Sequence, residues 1–184
     1  MRVIAGEAKG HTLLTPKGYG TRPTTDRVRG AIFSMLEAMT GDWLRVLDMF
    51  AGTGALGIEA LSRGAERADF VEQEPRACAV IKQNLERTGL KDRGHVYCVS
   101  GKRALSFLEE QYNILFMDPP YRDKAVGAFL DQVVASPVVR EDSTLVVPHS
   151  NRLNLSPSYG GLNLVRRRRH GDTCISIYQG GRES

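Results

Sequence analysis

The chain has 184 residues, of which 41% are hydrophobic and 25% charged, so it has room for one domain with a full core and too little for two large ones. No apolar run approaches the roughly 20 residues of a membrane span, and the first residues lack the apolar core of a signal peptide, so we expect a cytoplasmic protein. The three scattered cysteines and four isolated histidines lack the spacing of ligands, which argues against a metal site and a disulfide framework.

Charge is unevenly distributed along the chain, although the net charge is only +4. Residues 1–30 and residues 151–184 each carry a net charge of +4, whereas residues 31–150 carry −4. This division predicts a polyanionic partner that is held by the two ends of the chain while the central body does other work. Basic ends that merely face solvent are the alternative.

The N-terminal part predicts a β-hairpin. Short apolar runs at residues 2–5 and 12–15 are joined by a glycine-bounded turn, and a loop rich in turn residues follows. We therefore divide the chain into a hairpin extension, residues 1–23, and a main domain, residues 24–184.

Strands and helices are predicted to alternate through the main domain. Thr24 or Thr25 should cap a first helix that Gly41 ends, and further helices separate most of the apolar runs that follow. The predicted strands are 45–50, 67–72, 95–99, 112–117, 143–147, 162–166 and 173–178. This alternation indicates an α/β fold with a parallel sheet, helices on both of its faces and ligands at the carboxyl ends of its strands.

The stretch that organises the chain is a glycine corner at residues 48–57, Asp-Met-Phe-Ala-Gly-Thr-Gly-Ala-Leu-Gly. Gly52, Gly54 and Gly57 follow a predicted buried strand and precede a predicted helix, and such glycines let the backbone turn tightly and approach a ligand. The pattern by itself suits a nicotinamide, a flavin or an S-adenosylmethionine (SAM) site.

Two carboxylates stand at the ends of the first two predicted strands. Glu72 is placed to accept hydrogen bonds from both ribose hydroxyls of an adenosine, with Glu74 as the less favoured alternative. Asp48 is placed to face the cationic end of SAM or to organise water around it. The strand ends thus favour an adenosine-containing cofactor.

The sequence Asp-Pro-Pro-Tyr at residues 118–121 follows the fourth predicted strand. Two prolines remove two backbone donors and keep the chain extended, so the carbonyls of Asp118 and Pro119 should point outward as acceptors. Acceptors on the N–H bonds of a nucleobase amine would localise its lone pair and align it with a methyl group, and Asp118 could take the departing proton. Tyr121 offers a flat face on which a displaced base can stack.

With these motifs the chain resembles the RsmD-type 16S ribosomal RNA guanine-N2 methyltransferases over nearly its full length. The most specific string is Arg-Pro-Thr-Thr-Asp-Arg-Val-Arg at residues 22–29, since the glycine corner and Asp-Pro-Pro-Tyr are shared by many amino-group methyltransferases. The other matching segments are residues 2–7, 48–60, 70–72, 118–121 and 171–173.

The resemblance implies a Rossmann-like SAM-dependent methyltransferase fold, with a mostly parallel seven-stranded sheet and an antiparallel last strand. It implies SAM as the donor and, as the acceptor, the exocyclic N2 of one guanine, position 966, in the 16S rRNA of the small ribosomal subunit or its assembly intermediate. A monomer without metal is expected. The implied cofactor-binding residues are Asp48, Phe50, Gly52, Gly54, Glu72 and Gln73. The implied catalytic residues are Asp118, Pro119, Pro120 and Tyr121.

Basic residues near the two ends are the candidates for binding RNA. They are Arg22, Arg27, Arg29, Arg166 and Arg168. One stretch departs from the pattern of related methyltransferases, which often place Asp or Asn after the third strand to hold the adenine amino group. Here residues 100–103 read Ser-Gly-Lys-Arg, so either backbone groups hold the adenine or the strand register differs.

Three other functions are alternatives to an rRNA methyltransferase. A nicotinamide-dependent oxidoreductase would explain the glycines, but it leaves Asp-Pro-Pro-Tyr without a role. A non-catalytic RNA-binding module would explain the basic ends and leaves the crevice unexplained. A DNA adenine-N6 methyltransferase uses a similar amine-binding motif, but no target-recognition domain is visible in the sequence.

Overall fold

The computed structural model describes residues 1–18, 24–39, 41, 43–120 and 124–181. Its helices are α1 Asp26–Glu37, α2 Ala55–Ser62, α3 Pro75–Arg87, α4 Gly101–Leu105 and α5 Lys124–Val134. Its strands are β1 Arg45–Met49, β2 Arg67–Glu72, β3 Gly94–Cys98, β4 Tyr112–Met117, β5 Val139–Ser150, β6 Ser158–Tyr159, β7 Leu162–His170 and β8 Thr173–Gly180.

All eight strands of the described residues form one sheet, in the order β3-β2-β1-β4-β5-β8-β7-β6. The first five strands pair in parallel, and β8 is inserted antiparallel between β5 and β7. The predicted α/β fold with an antiparallel last strand is confirmed. The predicted count of seven strands is one short, because the two-residue β6 is too brief to give an apolar pattern.

Helices cover both faces of the sheet, and each face has its own core. One core joins α1, α2 and α3 to the sheet through buried residues such as Phe33, Leu61 and Ile81. The other core packs α4 and α5 through Ala104, Leu130 and residues around them. Buried apolar surface on both faces explains why the central strands read as nearly continuous apolar runs.

Local capping chemistry fixes where several helices begin. The Thr25 hydroxyl accepts a hydrogen bond from the Val28 N–H at the start of α1. The Ser100 hydroxyl likewise accepts one from the Arg103 N–H at the start of α4. Glu74 caps α3, where Pro75 occupies a first-turn position that needs no N–H donor. Helix α1 ends at Glu37, before Gly41, so the predicted stop lies four residues too late.

The two arms of the predicted N-terminal hairpin pair over a short stretch, and the segment is also fastened to α2. Its two arms meet in a single antiparallel bridge between Arg2 and Thr12. The Glu59 carboxylate accepts hydrogen bonds from the backbone N–H groups of Ile4 and Ala5, at 2.8 and 3.0 Å. The boundary predicted at residue 23 lies outside the described residues, so the division into two parts stays a prediction.

No helix within the described ranges is both long and apolar enough to cross a membrane. The same ranges contain no cluster of three or more His, Cys, Asp or Glu side chains arranged to hold a metal ion.

Candidate active site

The glycine corner is a sharp turn between β1 and α2 with unusual backbone angles. Phe50, Gly52 and Gly54 have φ values of 61°, 58° and 76°. These are left-handed backbone conformations, which residues other than glycine rarely adopt. Asp48 braces the turn, because its Oδ2 accepts a hydrogen bond from the Gly57 N–H at 2.9 Å. The corner thus holds α2 with its first turn directed toward the end of β1.

Gly57 lets helix α2 approach the sheet closely. A Cβ on Gly57 would lie 2.3 Å from Cε1 of Phe70, which is fully buried in β2. We expect Gly57→Ala to lower the free energy of unfolding by about 1–3 kcal/mol, as overpacked cores do, measured by urea denaturation. Gly41→Ala is the control, because a Cβ there meets nothing within 4 Å. Equal stability of both variants would contradict this account of the corner.

Glu72 ends β2 and is tied to the glycine corner. Its Oε2 accepts a hydrogen bond from the Gly52 N–H at 2.9 Å, and its Oε1 accepts one from the Glu74 N–H at 2.9 Å. The side chain is buried. Since each carboxylate oxygen carries two lone pairs, these contacts orient Glu72 and are compatible with further donors from a ligand.

A cavity of about 810 Å³ opens between the glycine corner and the ends of β1, β2 and β4. It is lined by the predicted residues Asp48, Phe50, Gly52, Glu72, Gln73, Asp118, Pro119 and Pro120. Gly54 is absent from the walls described and packs instead against Ile81 and Phe70. We call this space the cofactor-side cavity, because it joins the residues predicted to hold an adenosine.

The N-terminal segment supplies part of the same cavity, which the sequence analysis missed. Met1, Thr24 and residues 15–18 line it, and Arg76 adds a cation from α3. The local sequence does not predict these contacts, because they depend on how the N-terminal segment crosses α2.

Residues 100–103 do not line the cofactor-side cavity as far as the chain is described. Ser100 caps α4, and a Cβ on Gly101 would lie 3.0 Å from the rings of Phe50 and Phe129. The third strand ends at Cys98, one residue earlier than predicted. This stretch therefore packs against Phe50 and Phe129, and its predicted part in holding an adenine stays a prediction.

Asp118 follows β4 and is positioned by a contact from the start of α1. The Thr24 hydroxyl donates a hydrogen bond to Oδ2 of Asp118 at 3.1 Å. Burial raises the pKa of Asp118 to about 6, and the Thr24 hydrogen bond opposes that rise. Pro119 and Pro120 continue the wall of the cavity, whereas Tyr121 lies outside the described residues.

A second cavity, of about 740 Å³, lies on the other side of Asp118. The two cavities share Thr24, Asp118 and Pro119, so they meet at the candidate catalytic carboxylate. Polar and charged side chains line the second cavity: Arg27, His149, Ser150, Arg152, His170 and Asp172. We call it the acceptor-side cavity, because it offers a separate space next to the same carboxylate.

Three carboxylates converge where the strands end. Burial raises the pKa of Asp48 well above its ordinary value, the Gly57 hydrogen bond opposes this, and the charges of Asp118 and Glu72 add to the rise. Carboxylates that raise one another's pKa in this way favour a cationic group between them. The sulfonium of SAM is such a group, so the arrangement fits the predicted cofactor.

The predicted RNA-binding arginines fall into different environments. Arg27 is exposed and lines the acceptor-side cavity, and Arg166 and Arg168 are exposed on β7. Arg22 lies outside the described residues. Arg29 was predicted wrongly: it is fully buried, and its Nη2 donates to the Arg2 carbonyl and to Asp26.

The fold and the site together define a class of protein. A sheet of this order, with a glycine corner after β1 and Asp-Pro-Pro after β4, is that of the Rossmann-like methyltransferases. A solved structure from Escherichia coli, provisionally described as methyltransferase yhhF, has a TM-score of 0.86 and 27% sequence identity, and covers 100% of this chain and 99% of that chain.

The chain belongs to the family described as Conserved hypothetical protein 95, whose profile matches residues 1–179. It is 32% identical over 182 residues to ribosomal RNA small subunit methyltransferase D of Escherichia coli K12, with 97% of this chain and 89% of that protein covered. It is 38% identical over 182 residues to YlbH of Bacillus subtilis 168, provisionally named an rRNA methyltransferase, with 97% and 98% covered. The resemblance inferred from the sequence is confirmed.

Proposed function

We propose that this protein transfers the methyl group of SAM to the exocyclic N2 of a guanine in 16S rRNA, at position 966 by family resemblance. The observation that carries the proposal is the meeting of two cavities at Asp118. One cavity has the carboxylates and glycines suited to an adenosine cofactor, and the other has the size and polarity suited to a nucleotide. A group-transfer enzyme needs this arrangement, because donor and acceptor must meet at one point.

The cofactor-side cavity would hold SAM by its two ends. Glu72 would accept the ribose hydroxyls, while Asp48 would face the sulfonium end beside Gly52 and Phe50. Gln73 is exposed at the rim, next to Glu72, and is placed to contact the adenosine. SAM supplies a methyl group on a good leaving group, so the chain needs mainly to align its neighbours.

Asp118 and the Pro119 carbonyl would bind the guanine amine from the acceptor side. Asp118 accepts one N–H of the amine, which localises the nitrogen lone pair, and it receives the proton that the amine loses. Pro120 keeps the backbone extended so that these acceptors stay directed outward. Tyr121 would stack on the displaced base, a role that remains a proposal.

Exposed cations around the acceptor side would hold the RNA backbone. Arg166 and Arg168 lie opposite Ile177 and Ile175 of β8, both of which belong to the core under α1. Cross-strand neighbours share a face of the sheet, so these two arginines extend from the face that α1 covers. Arg27 stands on α1 itself, and the cations from both ends of the chain thus reach one side of the protein.

We expect the double variant Arg166→Ala, Arg168→Ala to bind 16S rRNA with a weaker dependence on salt. Each lost phosphate contact should flatten the plot of log affinity against log salt by somewhat under one unit. Binding is measured by filter retention at several salt concentrations. The control is Arg87→Ala, Arg103→Ala, two exposed arginines on α3 and α4. A slope equal to that of the parent would show that the two β7 arginines only face solvent.

The proposed function is tested by mapping the product. Small ribosomal subunits from cells that lack this protein are incubated with labelled SAM and the purified chain, and the rRNA is digested for mass spectrometry. A single N2-methylguanine is the expected result. Label in adenine N6 of DNA would favour the alternative methyltransferase, and tight binding of NAD with none of SAM would favour the oxidoreductase. Comparing free 16S rRNA with assembled subunits identifies the form that serves as substrate.

A further inference from the structure

Thr24 connects the N-terminal part of the chain to the candidate catalytic carboxylate. It lies two residues before α1, and its hydroxyl donates to Oδ2 of Asp118 across 94 positions of sequence. It also lines both cavities. The contact therefore stands at the passage between the cofactor side and the acceptor side, where the reaction would occur.

The neighbouring threonine has a different role. The Thr25 hydroxyl accepts the Val28 N–H at 3.3 Å and caps α1. The string at residues 22–29, which the sequence analysis singled out, thus contains one threonine that stabilises a helix and one that contacts Asp118. Thr24 is not among the residues proposed above to bind SAM or the guanine.

We propose that Thr24 is a positioning residue for methyl transfer, which holds Oδ2 of Asp118 so that Oδ1 meets the acceptor amine. This proposal rests on the proposed function. A hydroxyl that donates to one oxygen fixes the rotation of the carboxyl group and leaves the other oxygen to accept from the substrate. Thr24→Val would keep the shape of the side chain and remove that donor.

Electrostatics give the proposal a measurable signature. A donated hydrogen bond favours the ionised carboxylate, whereas burial favours the neutral one, and the balance sets the pKa of Asp118 at about 6. The ionised form accepts freely on both oxygens, whereas protonation turns one of them into an O–H donor. The charges of Asp48 and Asp118 interact directly. The other charged and titratable groups share a cavity with Asp118: Lys17, Glu72, Glu74 and Arg76 on the cofactor side, and Arg27, His149, Arg152, His170 and Asp172 on the acceptor side.

The rate of methyl transfer should rise with pH through about 6 in the parent, because Asp118 loses its proton there. We expect Thr24→Val to move this midpoint upward by about one pH unit or more, since it removes a hydrogen bond to a charged group. The rate at pH 7 should then fall about two- to tenfold and recover by pH 9. Thr24→Ser, which restores the hydroxyl, should return the midpoint toward that of the parent.

Thr25→Val is the matched control. It removes the cap of α1 and should lower the melting temperature while leaving the pH midpoint unchanged. A midpoint that moves equally in both threonine variants would overturn the proposal, because it would report a general disturbance of α1. The profile is measured in single turnovers on small subunits, from pH 5 to pH 9.

A second readout needs no RNA. The titration of Asp118 is followed by carboxyl carbon-13 NMR in the free protein, for the parent and for Thr24→Val. A higher pKa in the variant supports the contact even if the parent fails to methylate 16S rRNA, so failure of the proposed function is seen separately. An unchanged pKa in the folded variant overturns the proposal, as does a raised pKa without any shift of the kinetic midpoint.

Discussion

We expect Asp118→Ala to lower the single-turnover rate of methyl transfer to small ribosomal subunits by two or more powers of ten. The variant removes an acceptor from the reacting nitrogen, and losses of this size follow the removal of other catalytic hydrogen-bonding groups. SAM affinity should change little, because Glu72 and the glycine corner keep their contacts with each other. The rate is measured with labelled SAM and enzyme in excess over subunits.

Two further variants make that result interpretable. Asp118→Asn keeps the shape and one acceptor oxygen, so it should retain a slow rate that no longer rises through pH 6. Asp142→Ala removes an exposed carboxylate that pairs with Arg140 near the start of β5, and this variant should behave as the parent does. Rates close to the parental value for Asp118→Ala would refute the mechanism.

The second large effect is expected at Glu72. Glu72→Ala should weaken SAM binding by about 5- to 150-fold, because an unpaired ribose hydroxyl pair in a buried site costs about 1–3 kcal/mol. The same change removes the acceptor of the Gly52 N–H, so the corner itself is loosened. Isothermal titration calorimetry of SAM into the folded variant gives the affinity directly.

Glu74→Ala separates the two candidate carboxylates. Glu74 also lines the cofactor-side cavity, but its Oε1 accepts from the Arg76 N–H at the start of α3. We expect this variant to bind SAM nearly as the parent does. Unchanged affinity in Glu72→Ala together with a loss in Glu74→Ala would transfer the ribose contact to the neighbouring residue.

Much of the site follows from local sequence, because parallel strands end at one edge of their sheet. Strands β2 and β4 have the predicted bounds. Strand β2 ends at Glu72, and the apolar run of β4 ends just before Asp118 and its proline pair. From the sequence alone, that rule predicts that Glu72 and Asp118 lie at one crevice. The contacts that hold them are between residues distant in sequence and have no local signature.

The position of Arg29 could not be predicted from its charge. It stands three, four and seven positions before Ile32, Phe33 and Leu36, so helical spacing places it on the buried face of α1. Its charge suggested a surface residue, yet the guanidinium is buried and donates to the Arg2 carbonyl and to the carboxylate of the exposed Asp26. Burial lowers the pKa of Arg29, and the charges of Asp26 and Glu59 oppose that shift. The periodicity was a better guide than the residue type.

The insertion of β8 between β5 and β7 has a consequence for how the chain matures during synthesis. Strand β7 is translated before β8, but it is joined to β5 only by way of β8, which lies between them. A nascent chain that ends before Thr173 therefore leaves the edge of β5 without its partner strand. Ile175 and Ile177 would also be missing from the core under α1. Residues 170–173 also form one wall of the acceptor-side cavity. An unfinished chain could therefore have a complete cofactor-side cavity and still be unable to bind its acceptor.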